Sequence, residues 1–403
     1  MNRRDGAGHD VWVVDPSLFT LPYDHELCQA LAATGLGVRL VGRPMRANEA
    51  TVSPPGYDLE LMFYRRSEAD SKRSGPDTRR FGKGIEHVLG MARLTTSVRR
   101  SPPGVVHFQW LPLPWADRPF LASMARRCPL VLTVHDATAS GGRGFAPLQT
   151  LGFQGAFRHF SAFIVHNEAG RRALLDLGVD DDSIEVMPHP PLPLPASTMT
   201  VSHESGEFVL LIFGEIKPYK GVDLAIEALA RLPERHRAHT RLVVAGKAHM
   251  SLDGLRALAR KLGVESRIEW IDRYLGLDEL PALLASASIF LLPYREADAS
   301  GVLAQVLQLG RPIIASNTGN FPELVGTAGC GEVVAPGDTG ALAESICRLL
   351  DDPDLSARMG AAASRLSQSM PNWDDAAKQL STIYDRVQTD RPGANAQGTD
   401  RRS

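Results

Sequence analysis

The stretch Phe208–Asp223, FVLLIFGEIKPYKGVD, runs from a short apolar strand through Gly214 to two lysines and the start of an amphipathic helix. Lys217 and Lys220 therefore fall between a strand end and a helix start. A lysine ammonium is a point charge, suited to a diphosphate, whose oxygens need no fixed fork geometry. About seventy residues on, Ile289–Val325 repeats this build, with Ser300, Gly301 and Val302 opening a helix after another strand. Ser300 suits the cap, and glycine lets the following N–H groups approach a phosphate closely. Cations and free N–H groups at one sheet edge form a diphosphate cradle. The first half has candidates at strand ends as well. LVLTVHD ends in His135 and Asp136, expected to project into a crevice; VVHFQW holds His107 and Gln109; Tyr23 and Asp24 open a helix after the loop SLFTLP. A lone histidine in such a place can equally be a satisfied structural group. His166 and His189 also end strands and receive no role.

Short apolar runs alternate with helical patterns from end to end. The first half predicts strands at Val11–Asp15, Val38–Val41, Leu59–Tyr64, Val105–Trp110, Leu130–His135 and Phe163–His166. The second predicts Phe208–Phe213, Arg241–Ala245, Ile268–Ile271, Ile289–Pro293, Pro312–Ala315 and Gly331–Val334. Continuous apolar strands alternating with helices mean parallel sheets covered on both faces. Met187–Ser197 holds five prolines in eleven residues and can continue neither a helix nor a central strand. The expected division is therefore an N-terminal domain over 1–195, a linker over 196–207 and a C-terminal domain over 208–370. A helix over 371–388 and a polar, disordered tail over 389–403 follow.

The length of 403 residues suits two domains, and a net charge of −2 argues against a nucleic-acid partner. Cys28, Cys128, Cys330 and Cys347 lie far apart without metal-ligand spacing, as ordinary thiols of a reducing cytoplasm do. No signal-peptide core is visible, and no run approaches the ~20 apolar residues that span a bilayer. A cytoplasmic protein is expected, with any membrane contact peripheral. Residues 65–100 carry ten Lys or Arg against four acids. They read either as a solvated, mobile face or as a patch steering the protein to an anionic membrane or acceptor.

Together the two cradle stretches resemble the nucleotide-sugar-binding half of a GT-B glycosyltransferase of family 4. The resemblance extends from about residue 11 to 388 and is stronger in the second half. It implies an α/β fold of two Rossmann-like, doubly wound parallel-sheet domains facing a cleft, with the last helix crossing back to the first domain. The donor, a nucleotide-diphosphate sugar, would sit on the C-terminal domain, and a glycan, lipid-linked or small-molecule acceptor on the N-terminal one. Lys220-Gly221 matches the family's Lys-Gly pair, whereas Glu215 stands where an Arg is usual, which makes Lys217 the substitute cation. The family's pair of glutamates is missing: its positions hold Ala297 and Gln305, with Glu296 and Asp298 beside the vacancy. Arg273 and Tyr274 correspond to the nucleobase region, and Glu323 to a glutamate near base or ribose. His135 matches a common family histidine, and His107-Phe108-Gln109 stands where His-x-His is frequent. Lys217, Lys220 and the Ser300–Val302 amides would stabilise the leaving diphosphate, with retention of configuration and no metal. A subgroup with a Tyr-Lys-Gly turn and a Ser-Gly-Val loop also lacks the glutamate pair, and this chain is most similar to it.

Three other readings use the same residues. An NAD(P)-dependent Rossmann enzyme needs a GxGxxG turn, and none follows Val11–Asp15 or Phe208–Phe213. A nucleotide-sugar epimerase would use the same donor site without an acceptor. Ala297 and Gln305 also allow a degenerate nucleotide-sugar-binding protein.

Overall fold

The computed structural model describes residues 11–46, 56–69, 76–135, 153–194, 207–276, 279–297 and 300–391. They gather in two compact units, the first containing residues up to 188 and those from 371 onward, the second containing 189–370.

In the first unit the strands are β1 (Val11–Val14), β2 (Val38–Gly42), β3 (Asp58–Leu61), β4 (Val105–Phe108), β5 (Leu130–Val134), β6 (Ala162–Val165) and β7 (Ile184–Val186). They form one sheet in the order β3-β2-β1-β4-β5-β6-β7, every pairing parallel. Chain order reverses between β1 and β4, so the carboxyl edge of those two strands is the switch point of a doubly wound sheet. The helices are α1 (Leu21–Ala33), α2 (Arg65–Ala69), α3 (Pro76–Arg100), α4 (Pro114–Ala125), α5 (Phe153–Phe157) and α6 (Glu168–Asp176).

The second unit repeats the plan. Its strands β8 (Phe208–Phe213), β9 (Thr240–Ala245), β10 (Ile268–Ile271), β11 (Ile289–Leu292), β12 (Ile313–Ser316) and β13 (Gly331–Val334) run in the order β10-β9-β8-β11-β12-β13. Its switch point lies between β8 and β11. The helices are α7 (Val222–Arg231), α8 (Glu234–Arg237), α9 (Asp253–Lys261), α10 (Leu280–Ala285), α11 (Gly301–Leu307), α12 (Thr339–Asp351) and α13 (Pro353–Ser369). Val222, Ala225, Ile226 and Leu229 of α7 form a buried stripe at helical spacing.

The last helix, α14 (Trp373–Thr389), belongs to the first unit. Asn372 caps it in a reciprocal box with Asp375. Ala376, Ala377, Leu380, Ile383 and Tyr384 fall on one face and pack with Leu27 of α1 in the first unit's core.

Several expectations are corrected. The proline-rich run joins the second unit from His189: Gln308 Nε2 donates to the Leu192 carbonyl at 2.9 Å, and Leu194 packs against that unit's core. The first unit therefore ends at residue 188 rather than 195. The expected linker falls outside the described residues up to 206. The tail expected over 389–403 is ordered at its start, where Thr389 ends α14 and Arg391 donates to the Arg126 and Arg127 carbonyls; residues 392–403 lie outside the described set. Within the basic region, α3 is anchored by buried Met91, Leu94 and Val98, so it is not a mobile face throughout. Among the described residues no helix is long and apolar enough to cross a membrane.

His107 sits inside the protein, fully buried in β4. Its Nδ1 bonds the Tyr384 hydroxyl and its Nε2 the Thr133 hydroxyl, each at 2.7 Å. It ties α14 to the sheet and offers no free nitrogen to an acceptor. Burial pushes its pKa down to about 3. The unfolded chain, with an ordinary imidazole, binds the proton more readily, so this group's contribution to stability is complete above pH ~6.5 and is lost as pH falls toward 3. Thermal unfolding followed from pH 7 to 4 should show a falling midpoint. In His107→Gln, proton uptake on unfolding near pH 5 should be smaller by about one proton. An unchanged pH slope would show that His107 is protonated in the fold.

Candidate active site

The predicted cradle residues of the second unit come together at the β8/β11 switch point. The turn after β8 is a tight 3₁₀ turn, Pro218–Lys220, closed by Gly221 at φ +65°. A Cβ on Gly221 would lie 2.1 Å from the Pro293 carbonyl at the end of β11, so only glycine lets the two loops approach. Gly214, at φ +97°, has the same character: its Cβ would meet Lys220 Nζ at 2.8 Å and Val302 Cγ2 at 3.0 Å. Lys220 and Val302 thus converge over Gly214. Ser300 caps α11, its hydroxyl accepting from Leu303 N at 3.2 Å. Arg295, just after β11, clamps the turn with paired bonds to Asp223 at 2.9 and 2.5 Å and a third to the Pro218 carbonyl.

Lys220 is only 5% exposed. Its Nζ donates to the Phe213 carbonyl at 3.2 Å and lies 5.3 Å from the centroid of the Tyr294 ring. Burial, followed by repulsion from Lys217 and opposed by Glu215, lowers its pKa to about 7. Lys217 is half-exposed and pairs with Glu215 at 2.8 Å, while Glu215 also faces His249 at 3.2 Å. These two partners hold Glu215 below the usual carboxylate range against its burial. Glu215, in the family's Arg position, is therefore a paired carboxylate that orients Lys217.

The outer predicted residues occupy separate places. Arg273 and Tyr274 follow β10, two strands from β8 and hence about 10 Å from the cradle; Arg273 makes a bidentate pair with Glu279, and Tyr274 is 46% exposed. Glu323 is exposed after β12. Gln305 is buried on α11, which limits it to a ligand that reaches the helix flank. Ala297 packs against the core, and Glu296 is half-buried beside it. Asp298 lies outside the described residues.

In the first unit, His135 does stand at the carboxyl end of β5, half-buried, with both ring nitrogens engaged. Its Nε2 bonds Gln109 Oε1 at 3.0 Å and its Nδ1 bonds His166 Nε2 at 3.1 Å. His166 Nδ1 bonds the Met187 carbonyl at 2.9 Å. A carbonyl only accepts, so His166 carries its hydrogen on Nδ1, and in its neutral form its Nε2 accepts from His135 Nδ1. A neutral His135 is then bare at Nε2, and its contact with Gln109 is a hydrogen bond only with the amide turned so that its NH2 donates. His166, given no role from sequence, thereby sets the tautomer of His135. Trp110 stacks on His135 at 5.1 Å and 15°. Asp136 lies outside the described residues.

Three acceptor-side expectations are corrected besides His107. Tyr23 and Asp24 are buried, at 3% and 0% exposure, because the first turn of α1 packs inward. Asp24 is pushed well above the carboxylate range by burial and by Asp15, which itself accepts from Ser17 N at 3.0 Å and Thr20 N at 3.2 Å. Asp24 is thus a buried strut between the first turn of α1 and the loop before it. Gln109 is fully buried and serves His135. Phe19, at 67%, and Trp115 at the start of α4, at 47%, are exposed large side chains on this edge; nothing in SLFTLP marked Phe19 out. His189 was missed as well: its Nε2 lies 3.5 Å from where a Gly301 Cβ would stand. Surface cavities of about 790 and 400 Å³ open at the amino ends of the strands, by Ser161 and Ser183 and by Phe208 and Ile289. They lie opposite the edges where doubly wound sheets bind ligands.

Lys220 has two measurable consequences. Its folded pKa lies below the lysine value of 10.5, so the fold loses stability as pH falls from there toward 7. Lys220→Met should therefore raise the melting temperature at pH 7 while weakening nucleoside-diphosphate binding about thirtyfold, the scale of one charge-assisted contact. In the native protein a bound anion raises the lysine pKa, so binding above pH 7 takes up a proton, and calorimetric affinity should fall as pH rises from 7 to 9. Affinity in Lys220→Met equal to that of the parent would remove the turn from the donor site.

Residues 22–190 match the glycosyl transferase 4-like domain, and residues 200–366 match the glycosyl transferases group 1. The D-inositol 3-phosphate glycosyltransferase of Streptomyces coelicolor is 30% identical over 181 residues, 43% of this chain and 39% of that protein. The chain thus spans about two-fifths of that relative's length. Two solved structures share the fold across the chain. Sucrose-phosphate synthase from Thermosynechococcus elongatus has a TM-score of 0.74 at 16% identity, covering 94% of this chain and 99% of its own. Anabaena HepE in complex with UDP has a TM-score of 0.69 at 17% identity, covering 94% and 100%. With two adjoining domain matches and a shared architecture of paired doubly wound sheets, the chain belongs to the group 1 glycosyltransferases of the GT-B fold.

Proposed function

We propose that the protein transfers a sugar from a nucleoside-diphosphate sugar to an acceptor hydroxyl, with retention and without a metal. The acceptor is a glycan, a lipid-linked sugar or a small natural product. The observation that carries this reading is the buried, glycine-flanked Lys220 at the β8/β11 switch point, beside the capped start of α11. The names of the relatives and the UDP bound by a protein of the same fold support it. In the reaction, the bond between the anomeric carbon and the diphosphate oxygen breaks and the diphosphate keeps the electron pair. The acceptor oxygen forms the new bond and gives up its proton, which the released diphosphate can take. Lys220, Lys217 and the α11 amides stabilise the charge growing on the leaving group, the role a divalent cation plays elsewhere. Among the described residues no group of three His, Cys, Asp or Glu is arranged to hold a metal. His135 is assigned to the sugar or acceptor, which it would reach by exchanging its Gln109 contact at Nε2 for a substrate hydroxyl while His166 keeps its Nδ1.

Incubating the EDTA-treated protein with a panel of nucleotide-sugars and acceptors tests this directly. Donor-dependent glycosylation of an acceptor, unchanged by chelation, is expected. Epimerised or free sugar without any transfer would favour the epimerase reading, and a requirement for Mg²⁺ or Mn²⁺ would overturn metal independence.

We also place the protein in the cytoplasm, in peripheral contact with an anionic membrane. Cys28, Cys128 and Cys330 are free and buried, in keeping with a reducing compartment. Ile85, Val88 and Leu89 of α3 are exposed at helical spacing, with Arg65 and Arg66 exposed on α2. Sedimentation with phosphatidylglycerol vesicles should capture the protein at low salt and release it at ~0.5 M salt, where the Debye length shrinks; equal recovery with neutral vesicles would exclude the electrostatic part.

A further inference from the structure

We propose that the cavity at the amino edge of the second sheet is a further ligand site, and that it takes a small carboxylate with an apolar body. This site is separate from the Lys220 cradle and does not depend on the glycosyltransferase reading.

The cavity holds about 400 Å³, within the range of ~300–1,000 Å³ usual for small-ligand sites. It opens where β8, β11 and β12 begin, and the end of α12 and the start of α13 close it. Strand β8 is six residues long, so at about 3.3 Å per residue the cavity lies roughly 20 Å from the Lys220 turn. Its walls are mostly apolar. Ile289 and Pro312 come from the sheet edge, Leu349 and Leu350 from α12, and Phe208 is 38% exposed. Displacing water from such walls favours an apolar occupant.

Of the polar side chains in the lining, all but one are already engaged. Ser288 Oγ accepts from Val209 N at 3.0 Å, and Ser356 Oγ donates to the Leu349 carbonyl at 2.7 Å. Glu207 pairs with Arg241 at 3.5 Å and with Arg267 at 3.4 Å. The exception is Arg311, which is half-buried and has no hydrogen bond or ion pair among the described residues. Its backbone is fixed by close packing. Gly310 takes φ +61°, and a Cβ on Gly360 of α13 would lie 2.3 Å from the Gly310 carbonyl. An arginine cannot shed its charge. A half-buried guanidinium without a counter-ion is unfavourable until an anion meets it.

One cation against apolar walls selects the ligand. A carboxylate matches the guanidinium fork with two parallel hydrogen bonds. A sugar phosphate or nucleotide would bring hydroxyls that the engaged Ser288 and Ser356 cannot satisfy, and burying them unpaired is unfavourable. Glu207 is the one acid in the lining, and its two arginines offset the repulsion it would exert on an incoming anion. At the junction of α12 and α13, Asp351 is likewise paired with Arg235 and Asp352 with Arg358.

Calorimetric titration of the full chain with octanoate, 1-naphthoate and octanol tests the site, with UDP affinity and melting temperature measured on the same preparations. Binding of one carboxylate per chain is expected, and the tighter of the two acids says whether the body is aliphatic or aromatic. Octanol, which keeps the chain without the charge, should bind about tenfold more weakly. Arg311→Gln should weaken the carboxylate about tenfold and leave octanol unchanged, and Arg311→Lys, which keeps the charge without the fork, should fall between. Saturating carboxylate should not displace UDP. Competition between the two would move the anion to the Lys220 turn and overturn the proposal, as would equal carboxylate affinity in the parent and Arg311→Gln. Absence of carboxylate binding at millimolar concentration would overturn it as well; a lowered melting temperature of Arg311→Gln alongside would assign the cavity to a segment of the chain itself. Carboxylate binding without UDP binding would support this site and count against the glycosyltransferase reading alone.

Discussion

An ammonium group held almost out of water, on Lys220, is the constraint that organises the second unit. An unpaired charge in a protein interior costs several kcal/mol even after relaxation. The structure offsets part of this with the Phe213 carbonyl and the Tyr294 ring, and the rest appears as the lowered pKa. To bury the group at all, the turn must press against the end of β11. That is why Gly214 and Gly221 take positive φ and why Arg295 bridges the two loops. Gly246, whose Cβ would lie 2.1 Å from the Gly214 carbonyl, extends the same close packing to the loop after β9. A site built this way gives up stability when empty and recovers it on meeting an anion, the usual relation between a preorganised site and the fold that carries it.

The first unit handles polar groups differently. Its buried polar chains are largely closed on themselves: Asp15 on its own loop amides, His107 between Tyr384 and Thr133, His87 between Asp117 at 2.7 Å and Tyr64 at 2.9 Å. Tyr64, like Leu18, has a positive φ, at +45°. Both strained residues follow strands near the carboxyl edge of the sheet, and both are fixed by burial. Among the described residues the result is a rigid rim, on which the exposed Phe19 ring stands out.

Sheet order and the cradle were legible because both depend on local pattern. Apolar runs mark parallel strands, and the glycines and lysines after β8 sit at spacings that only a tight turn satisfies. The strand β7, three residues long, was too short for periodicity to show it. Direction of burial was the harder property. In β4 every residue is buried, because helices cover both faces of the sheet. A histidine in such a strand can meet its partner only through tertiary packing, and for His107 that partner is Tyr384, 277 residues away. Tyr23 and Asp24 fail for a related reason: the first turn of α1 faces Asp15 and Trp373, neither of which a local window contains. Phe19 was invisible because a phenylalanine beside a buried leucine is ordinarily buried as well, and here the positive φ of Leu18 turns it out.

The contrast between the two rims follows from what each must hold. A diphosphate carries its charge through the whole reaction, so its site needs cations that water does not screen, and burial of Lys220 supplies them. In the first unit's rim the arginines after β2 are already committed, Arg43 to the Ser17 and Pro44 carbonyls and Arg46 to Glu68, so neither offers the same anion a second resting place, and selectivity between sites is a difference of affinities. A rim of stacked rings and internally closed hydrogen bonds avoids that competition. The same doubly wound sheet, used twice, therefore presents charge at one switch point and an aromatic face at the other. The division is set by side chains in two short loops, Glu215–Lys220 and Ser17–Thr20, rather than by the fold itself.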